Sequence, residues 1–226
     1  MVQTKGEVFL MRECAKQRTP EKYRAKINLL LALSRFFDQG GEQLAKTLEP
    51  LTKAAAVLLQ SEGPQEMESA VKILEEYLNS SPEVYQALTY EFNRLFVGPA
   101  APKAPPYESV YRSAEGLVMQ EQTLAVRKMY LREGLHSQEQ GHEPDDFIGT
   151  ELEFMAYLLS RALSSEQEQN LSGVQYYLEL HQEFCSKHME QWVEAFAQAI
   201  GKSTDYPLYT ALSKILVAGT QSSFCK

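Results

Sequence analysis

The sequence predicts an all-α protein, and three observations support this prediction. Apolar residues recur at spacings of three and four through most of the 226-residue chain, which is the period of an amphipathic helix. No segment shows the sustained alternation of apolar and polar residues, bounded by hairpin turns, that marks a strand. Four of the ten prolines fall in one stretch, residues 98–106, where they interrupt the helical pattern. We therefore expect a single helical-bundle domain over residues 1–226, with roughly nine to eleven helices and a proline-rich loop.

The helices before the proline-rich loop are bounded by typical capping residues. Thr19 is a suitable N-cap and Pro20 a suitable first residue for the first helix, which the Gly40-Gly41 pair ends. Three further helices are expected from about residue 42 to 60 with a kink or break at Pro50, from Pro64, and from Ser81-Pro82.

The proline-rich loop, residues 98–109, divides the chain. Proline fixes φ and has no backbone N–H, so this segment is expected to be a stiff, extended loop. A polar, glycine-bearing segment, residues 133–146, is predicted to be a second loop and a hinge. Four helices are expected in this part of the chain, over residues 116–132, from Pro144 to about 159, over about 166–200, and from Pro207 to about 217.

Composition and charge exclude several classes of protein. The chain carries 22 Lys and Arg against 30 Asp and Glu, a formal charge of −8, whereas nucleic-acid binders usually show a basic domain or stripe. No apolar run approaches the about 20 residues that a membrane span needs. We therefore expect no nucleic-acid partner and no membrane insertion. The three cysteines are odd in number and widely spaced, and the N-terminus lacks the apolar core of a signal peptide, so the expected location is the cytoplasm.

A metal or cofactor site is an alternative that the sequence leaves open. His181, Cys185 and His188 lie at i, i+4 and i+7, on one face of a predicted helix. Imidazole and thiolate are good ligands for zinc or copper. The competing interpretation is that these side chains belong to the core. Because the sequence shows no fourth ligand, we favour the second interpretation and expect no metal and no cofactor.

Two short segments carry the most information about function. The first, from Pro105 to Tyr111, presents aromatic rings, a carboxylate and a hydroxyl from a proline platform. The second, from Glu143 to Ile148, places three carboxylates beside a phenylalanine at a predicted helix start. Between residues 133 and 160 there are seven acidic residues and neither Lys nor Arg.

Each of these residues has a simpler explanation when it is taken alone. Helix capping would explain Asp145 and Asp146, and packing of the loop onto the core would explain Tyr107 and Tyr111. Taken together, an acidic cluster and a proline–aromatic loop indicate a groove for a peptide that is basic at one end and apolar at the other.

These segments and several others resemble the TorD/DmsD/NarJ family of molybdoenzyme-specific cytoplasmic chaperones, also called redox enzyme maturation proteins. The resemblance covers most of the chain and is strongest from Tyr90 onward. Six stretches match in the right order: Arg94-Leu95-Phe96-Val97-Gly98, Pro105 to Tyr111, Tyr130 with Gly134-Leu135, Glu143 to Phe147, Glu151 to Met155, and the spaced residues Phe184, His188, Trp192 and Phe196.

The resemblance implies a chaperone of anaerobic respiration, not an enzyme, with no cofactor of its own. Such proteins bind the twin-arginine leader, or another segment, of an apo-molybdopterin oxidoreductase subunit in the cytoplasm. They hold it while the cofactor is inserted and then let it be exported or assembled. The chain is expected to be a monomer or a dimer, and domain swapping is one form that the dimer can take. An alternative is a scaffold that docks only on the mature part of the enzyme, as in the nitrate-reductase branch of the family.

One position departs from the family pattern. Phe147 stands where the family has a His that is implicated in leader binding. A Phe side chain can neither form a conventional hydrogen bond nor titrate, so an apolar contact is expected there. Carboxylates are expected to pair with the guanidinium groups of the leader, and aromatic rings to contact its apolar part. The residues expected to bind the client are Phe96, Pro106, Tyr107, Ser109, Tyr111, Glu143, Asp145, Asp146, Phe147, His188 and Trp192.

Overall fold

The computed structural model describes residues 20–60, 65–136 and 143–221. Within these ranges the chain forms ten α-helices, and the prediction of an all-α fold with nine to eleven helices is confirmed. The helices are α1 (Pro20–Gln39), α2 (Leu44–Gln60), α3 (Glu66–Tyr77), α4 (Pro82–Phe92), α5 (Glu108–Arg112), α6 (Glu121–Arg132), α7 (Ile148–Gln167), α8 (Leu171–Phe184), α9 (Glu190–Ser203) and α10 (Pro207–Thr220).

Short helical segments of other types join some of these elements. A 3₁₀ turn, Gly41–Gln43, precedes α2. A π-helical turn, Asn93–Val97, extends α4, and another, Cys185–Met189, connects α8 to α9. Among the described residues no helix is both long and apolar enough to cross a membrane.

Several predicted helix boundaries were wrong. The helix expected over residues 116–132 begins only at Glu121. Of the kink or break expected at Pro50, the break is absent, because apolar residues on both sides of it, such as Leu48 and Leu51, are buried in the same core and hold α2 together. The helix predicted from Pro144 begins only at Ile148, after a turn in which Phe147 N–H donates to the Pro144 carbonyl. The helix predicted over residues 166–200 is interrupted after Gln167.

The interruption between α7 and α8 has a local cause. Gln169 adopts a positive φ of 57°, a left-handed conformation that ends a helix. The Asn170 side chain then accepts a hydrogen bond from Gly173 N–H at 3.0 Å and caps the start of α8. The predicted start at Pro64 and the middle of the predicted hinge loop, residues 137–142, lie outside the described residues.

Helix α1 lies at the centre of the packing. Its Leu29, Leu30, Leu33 and Phe36 are fully buried, and the helix packs against α2, α7 and α10. The buried side chains of the described residues form one hydrophobic cluster. Because α1 contacts α7, which lies more than 100 positions later, the start and the second half of the chain build one surface together.

Phe96 belongs to the core of this bundle. Its ring makes edge contacts with Phe37 at a centroid distance of 5.4 Å and with Phe92 at 4.9 Å, an arrangement that aromatic quadrupoles favour. Phe196 and Tyr209 complete the cluster at 6.0 and 6.1 Å. The side chain is 4% exposed, so the structure places Phe96 in the hydrophobic core.

Candidate functional site

The two segments that the sequence singles out lie side by side in the structure. Tyr107 and Phe147 form an isolated antiparallel bridge. Next to the bridge, Ile148 N–H donates to the Pro106 carbonyl at 2.9 Å. The rings of Tyr107 and Phe147 lie at a centroid distance of 5.9 Å. The short helix α5 and the first turn of α7 are therefore fixed to each other by backbone hydrogen bonds.

The buried Asp146 side chain links the start of α7 to α5 and α6 by hydrogen bonds. Its carboxylate accepts hydrogen bonds from Ser109 N–H at 2.8 Å and from the Thr123 hydroxyl at 2.7 Å. Asp146 and Ser109 are fully buried. Both carboxylate oxygens are thus occupied by groups of α5 and α6, and the structure places them away from solvent.

Asp145 is held in the same way by a different partner. Its side chain is buried and receives a hydrogen bond from Arg127 Nε at 2.5 Å. The Tyr130 hydroxyl also donates to the Asp145 carbonyl at 3.1 Å. Both aspartates that the sequence proposes for pairing with guanidinium groups therefore have partners within the chain. Neither acts as a helix cap, since α7 begins at Ile148 without a side-chain cap.

Behind the bridged segments, Glu108 and His188 form a buried ion-pair geometry. Glu108 Oε2 lies 2.8 Å from His188 Nδ1, and neither side chain is more than 5% exposed. Arg112 reaches the same carboxylate and also donates to the Lys187 carbonyl at 2.9 Å. His188 is therefore engaged inside the protein.

Glu151 is a fully buried carboxyl group beside this pair. Trp192 Nε1–H donates to its Oε2 at 3.1 Å, and its Oε1 has no hydrogen-bond partner among the described residues. Burial raises the pKa of Glu151 well above its ordinary value, and the negative charges of Glu108 and Asp146 raise it further. The protonated form of Glu151, which can donate to the Glu108 carboxylate, is therefore favoured.

Tyr111 and Trp192 complete the layer beneath the bridged segments. Their rings are stacked at a centroid distance of 5.6 Å and an interplanar angle of 27°, with Phe196 tilted against both. Trp192 is fully buried and Tyr111 half-buried. These rings support the surface above them by packing.

A cleft of about 490 Å³ borders the bridged segments, since Glu143 and Phe147 are among its lining residues. One wall is the C-terminal half of α1, which contributes Ser34 and Asp38. The first half of α7 also lines the cleft, through Gly149, Thr150, Glu153, Phe154 and Tyr157, and we call it the α7 wall together with the adjoining Phe147. Tyr130, Leu135, His136 and Glu143 complete the lining.

The cleft is acidic and aromatic. Three carboxylates, those of Asp38, Glu143 and Glu153, line it together with the aromatic rings of the α7 wall. Asp38 and Glu153 are exposed, and neither Lys nor Arg is among the described lining residues. A guanidinium group, which pairs bidentately with carboxylates, matches this lining.

Only two of the predicted residues, Glu143 and Phe147, line the cleft. Tyr107 lies directly behind them, because its ring contacts Phe147 and its hydroxyl hydrogen-bonds to the Glu143 side chain. Burial raises the pKa of the Tyr107 hydroxyl, and the Glu143 carboxylate raises it further, so this hydroxyl stays a donor. The other predicted residues lie in the supporting layer or the core.

Sequence reasoning missed the carboxylates of Asp38 and Glu153 and the ring of Tyr157. Glu153 and Tyr157 come after the acidic segment of residues 143–146 and are four positions apart from each other, so the helical period could have placed them on one face. No local signal identifies Asp38, because it reaches the cleft only through the packing of α1 on α7.

The Phe147 ring needs the glycine that follows it. A Cβ atom built on Gly149 would lie 2.5 Å from Phe147 Cε1, which is too close for real atoms. The ring therefore lies directly over the Gly149 backbone and forms an apolar part of the α7 wall. The expected apolar contact between Phe147 and a leader stays a prediction.

The metal alternative finds no support in the described part of the chain. No group of three or more His, Cys, Asp and Glu there could hold a metal ion. Cys185 Sγ lies 3.6 Å from His181 Nδ1, whereas the His188 Nδ1 is directed to Glu108. Burial lowers the pKa of His181 well below its ordinary value, as expected for a neutral core imidazole. The remaining cysteines, Cys14 and Cys225, lie outside the described residues.

Comparison with known proteins gives related sequences over most of this region. A family model described as the nitrate reductase delta subunit matches residues 60–198, more than half of the chain. The chaperone protein TorD of Vibrio cholerae serotype O1 (strain ATCC 39541) is 28% identical over 160 residues, which cover 70% of this chain and 71% of that protein. The Tat proofreading chaperone DmsD of Salmonella typhimurium (strain LT2) is 26% identical over 156 residues, which cover 69% and 68%. The family match includes both bridged segments and the α7 wall, and it begins after α1.

Proposed function

The chain belongs to the family of the nitrate reductase delta subunit, and on this premise we propose that it is a cytoplasmic chaperone for a molybdoenzyme. The relatives are named as chaperones, and this chain is not an enzyme. In this proposal the chain binds the twin-arginine leader of an apo-molybdopterin oxidoreductase subunit. It holds that subunit while the cofactor is inserted and then releases it for export.

The acidic, aromatic cleft is the observation that supports leader binding most directly. A twin-arginine leader presents two adjacent guanidinium groups followed by an apolar segment. Asp38 of α1 and Glu153 of α7 offer exposed carboxylates, and Glu143 adds a third to the lining. Tyr157 offers apolar surface beside them, with a smaller contribution from Phe147, which is 9% exposed. The cleft therefore provides both chemistries that such a leader requires.

The supporting layer gives the cleft its shape. Asp146 and the Tyr107–Phe147 bridge fix the position of the α7 wall. In this account Glu143 and Phe147 contact the leader, while residues such as Asp145 and Trp192 hold the wall in place. Preorganised walls reduce the entropic cost of ordering a binding site.

Calorimetry with a synthetic leader peptide tests the proposal. The peptide carries two adjacent arginines followed by an apolar helix-forming segment. The variant Asp38→Asn/Glu153→Gln removes two carboxylates from the cleft without changing side-chain size. We expect it to lose affinity by at least about tenfold and to show a weaker dependence of Kd on salt.

A matched control changes the same charge elsewhere. The variant Glu75→Gln/Glu76→Gln removes two exposed carboxylates from α3, outside the cleft, and should bind as the wild type does. Equal affinities of the two variants would contradict the role of the cleft. If the wild-type protein does not bind the peptide but binds the leaderless enzyme, the result would favour the alternative of a scaffold that docks only on the mature part of the enzyme.

A further inference from the structure

The aromatic lining of the cleft continues onto an exposed surface of α7 and α8. We call this surface the tyrosine shelf; it consists of Tyr157, Tyr176 and Tyr177, with Glu133 and Arg161 at their hydroxyl ends. We propose that the shelf binds the apolar segment that follows the arginines in the same leader peptide. The inference rests on the proposed function and assigns the second half of the peptide to a surface of its own.

The shelf is continuous with the cleft. Tyr157 lines the cleft, and its ring lies parallel to that of Phe154, also a lining residue, at a centroid distance of 6.3 Å. The Glu133 carboxylate hydrogen-bonds to the Tyr157 side chain and accepts a second bond from the Tyr176 hydroxyl at 2.7 Å. One carboxylate therefore connects the last ring of the cleft to the first ring on α8.

The rings of the shelf are held in place by their hydroxyl groups. Tyr176 and Tyr177 contact each other edge to face at 5.1 Å. Arg161 donates to the Tyr177 hydroxyl from Nε at 3.2 Å and from a terminal nitrogen at 3.1 Å. The polar tips are thus occupied, and Tyr176 still leaves 43% of its surface exposed. Fixed tyrosine rings offer apolar contact area at a low entropic cost.

Charge and length give the peptide a direction. The three carboxylates of the cleft lie at one end of this surface, and Arg161 lies at the other. Thr150 and Arg161 stand eleven positions apart on α7, which corresponds to about 17 Å of helix. An apolar helix of about 12 residues has the same length. Its C-terminal carbonyls, which carry partial negative charge, would then face the Arg161 guanidinium.

Two synthetic peptides separate the shelf from the cleft. The long peptide carries two adjacent arginines and an apolar segment of about 12 residues, enough for the span above. The short peptide ends after the arginines. We expect Tyr176→Ala to weaken binding of the long peptide by at least about fivefold, as truncation of an interface tyrosine commonly does, and to leave the short peptide unaffected.

Conservative and distant variants complete the design. Tyr176→Phe keeps the ring and loses only the hydroxyl, so it should bind the long peptide much more tightly than Tyr176→Ala. Tyr90→Ala removes a tyrosine that is 67% exposed on α4, outside the cleft and the shelf, and should change neither affinity.

The outcomes distinguish the two proposals. Suppose that Tyr176→Ala binds both peptides as the wild type does while Asp38→Asn/Glu153→Gln loses affinity. The proposal for the shelf is then wrong, and the proposal for the cleft is unaffected. An equal loss for both peptides would also overturn the shelf, because it would show a general disturbance. If the wild type binds neither peptide, leader binding itself fails and the shelf fails with it.

Discussion

At the scale of the residue, the buried Glu151 carboxyl links the stability of the protein to pH. Its pKa is raised in the folded state by burial and by Glu108 and Asp146. Between the pKa of the unfolded chain and that of the folded protein, the folded state therefore binds more protons, and the free energy of unfolding falls as the pH rises. The Trp192 hydrogen bond opposes this shift without reversing it.

Glu151→Gln should remove this dependence. The amide oxygen can accept from Trp192, and the amide nitrogen can donate to Glu108. We expect the variant to be more stable than the wild type at pH 7 and to show a flatter profile above about pH 4.5, the ordinary value for Glu. Urea unfolding from pH 4 to 8 measures this, with the exposed Glu153→Gln on the same helix as control. A wild-type profile that Glu151→Gln leaves unchanged would refute the assignment.

Gly149 controls the position of a single ring in the cleft. A methyl group there would occupy the place of Phe147 Cε1, so Gly149→Ala should displace the ring. Because Ala favours helix over Gly by about 1 kcal/mol, stability should change little. Leader affinity should fall severalfold in calorimetry. The same substitution in a Phe147→Ala background should have little further effect, and full additivity of the two losses would count against the ring contact.

At the scale of the element, Asp146 joins the short helix α5, helix α6 and the first turn of α7. Asp146→Ala leaves the buried Ser109 N–H and Thr123 hydroxyl without their acceptor. An unsatisfied buried donor costs about 1–3 kcal/mol, so a loss of at least about 2 kcal/mol in the free energy of unfolding is expected.

Chemical denaturation measures the Asp146 effect, and two variants bracket it. Asp146→Asn retains an acceptor oxygen, so its free energy of unfolding should fall less than that of Asp146→Ala. Asp38→Ala, at an exposed position, should change stability by no more than about 0.5 kcal/mol. Comparable losses of unfolding free energy in Asp146→Ala and Asp38→Ala would show that the Asp146 hydrogen bonds contribute nothing to stability.

Helices were predictable where the pattern was periodic and the ends carried capping residues. The end of α1 before the Gly40-Gly41 pair and the start of α4 at Pro82 followed from such signals. The break before α8 was missed although Asn170 is a good N-cap, because the apolar period continues on both sides of it. At Pro50 the sequence predicted a break that the structure lacks, because packing on both sides of Pro50 outweighs the hydrogen bond that proline removes.

At the scale of the whole molecule, packing decides which acidic residues can face a ligand. Local sequence placed Asp145 and Asp146 in the acidic signature but could not show that Arg127 and Thr123, 18 and 23 positions away, would occupy them. Conversely, Asp38 joins Glu153 in the cleft only because α1 packs against α7. The acidic and aromatic character of the cleft was therefore predictable, while most of its lining residues come together only through long-range packing.

The central claim is that cleft carboxylates pair with the arginines of a leader. A double-mutant cycle between Glu153→Gln in the protein and Arg→Gln in the peptide measures that pairing directly, because it cancels the separate effects of each change. We predict a coupling free energy of at least about 1 kcal/mol, since close charge pairs across an interface show about 1.5–7 kcal/mol. Losses that add to within about 0.5 kcal/mol would show that the two groups do not meet.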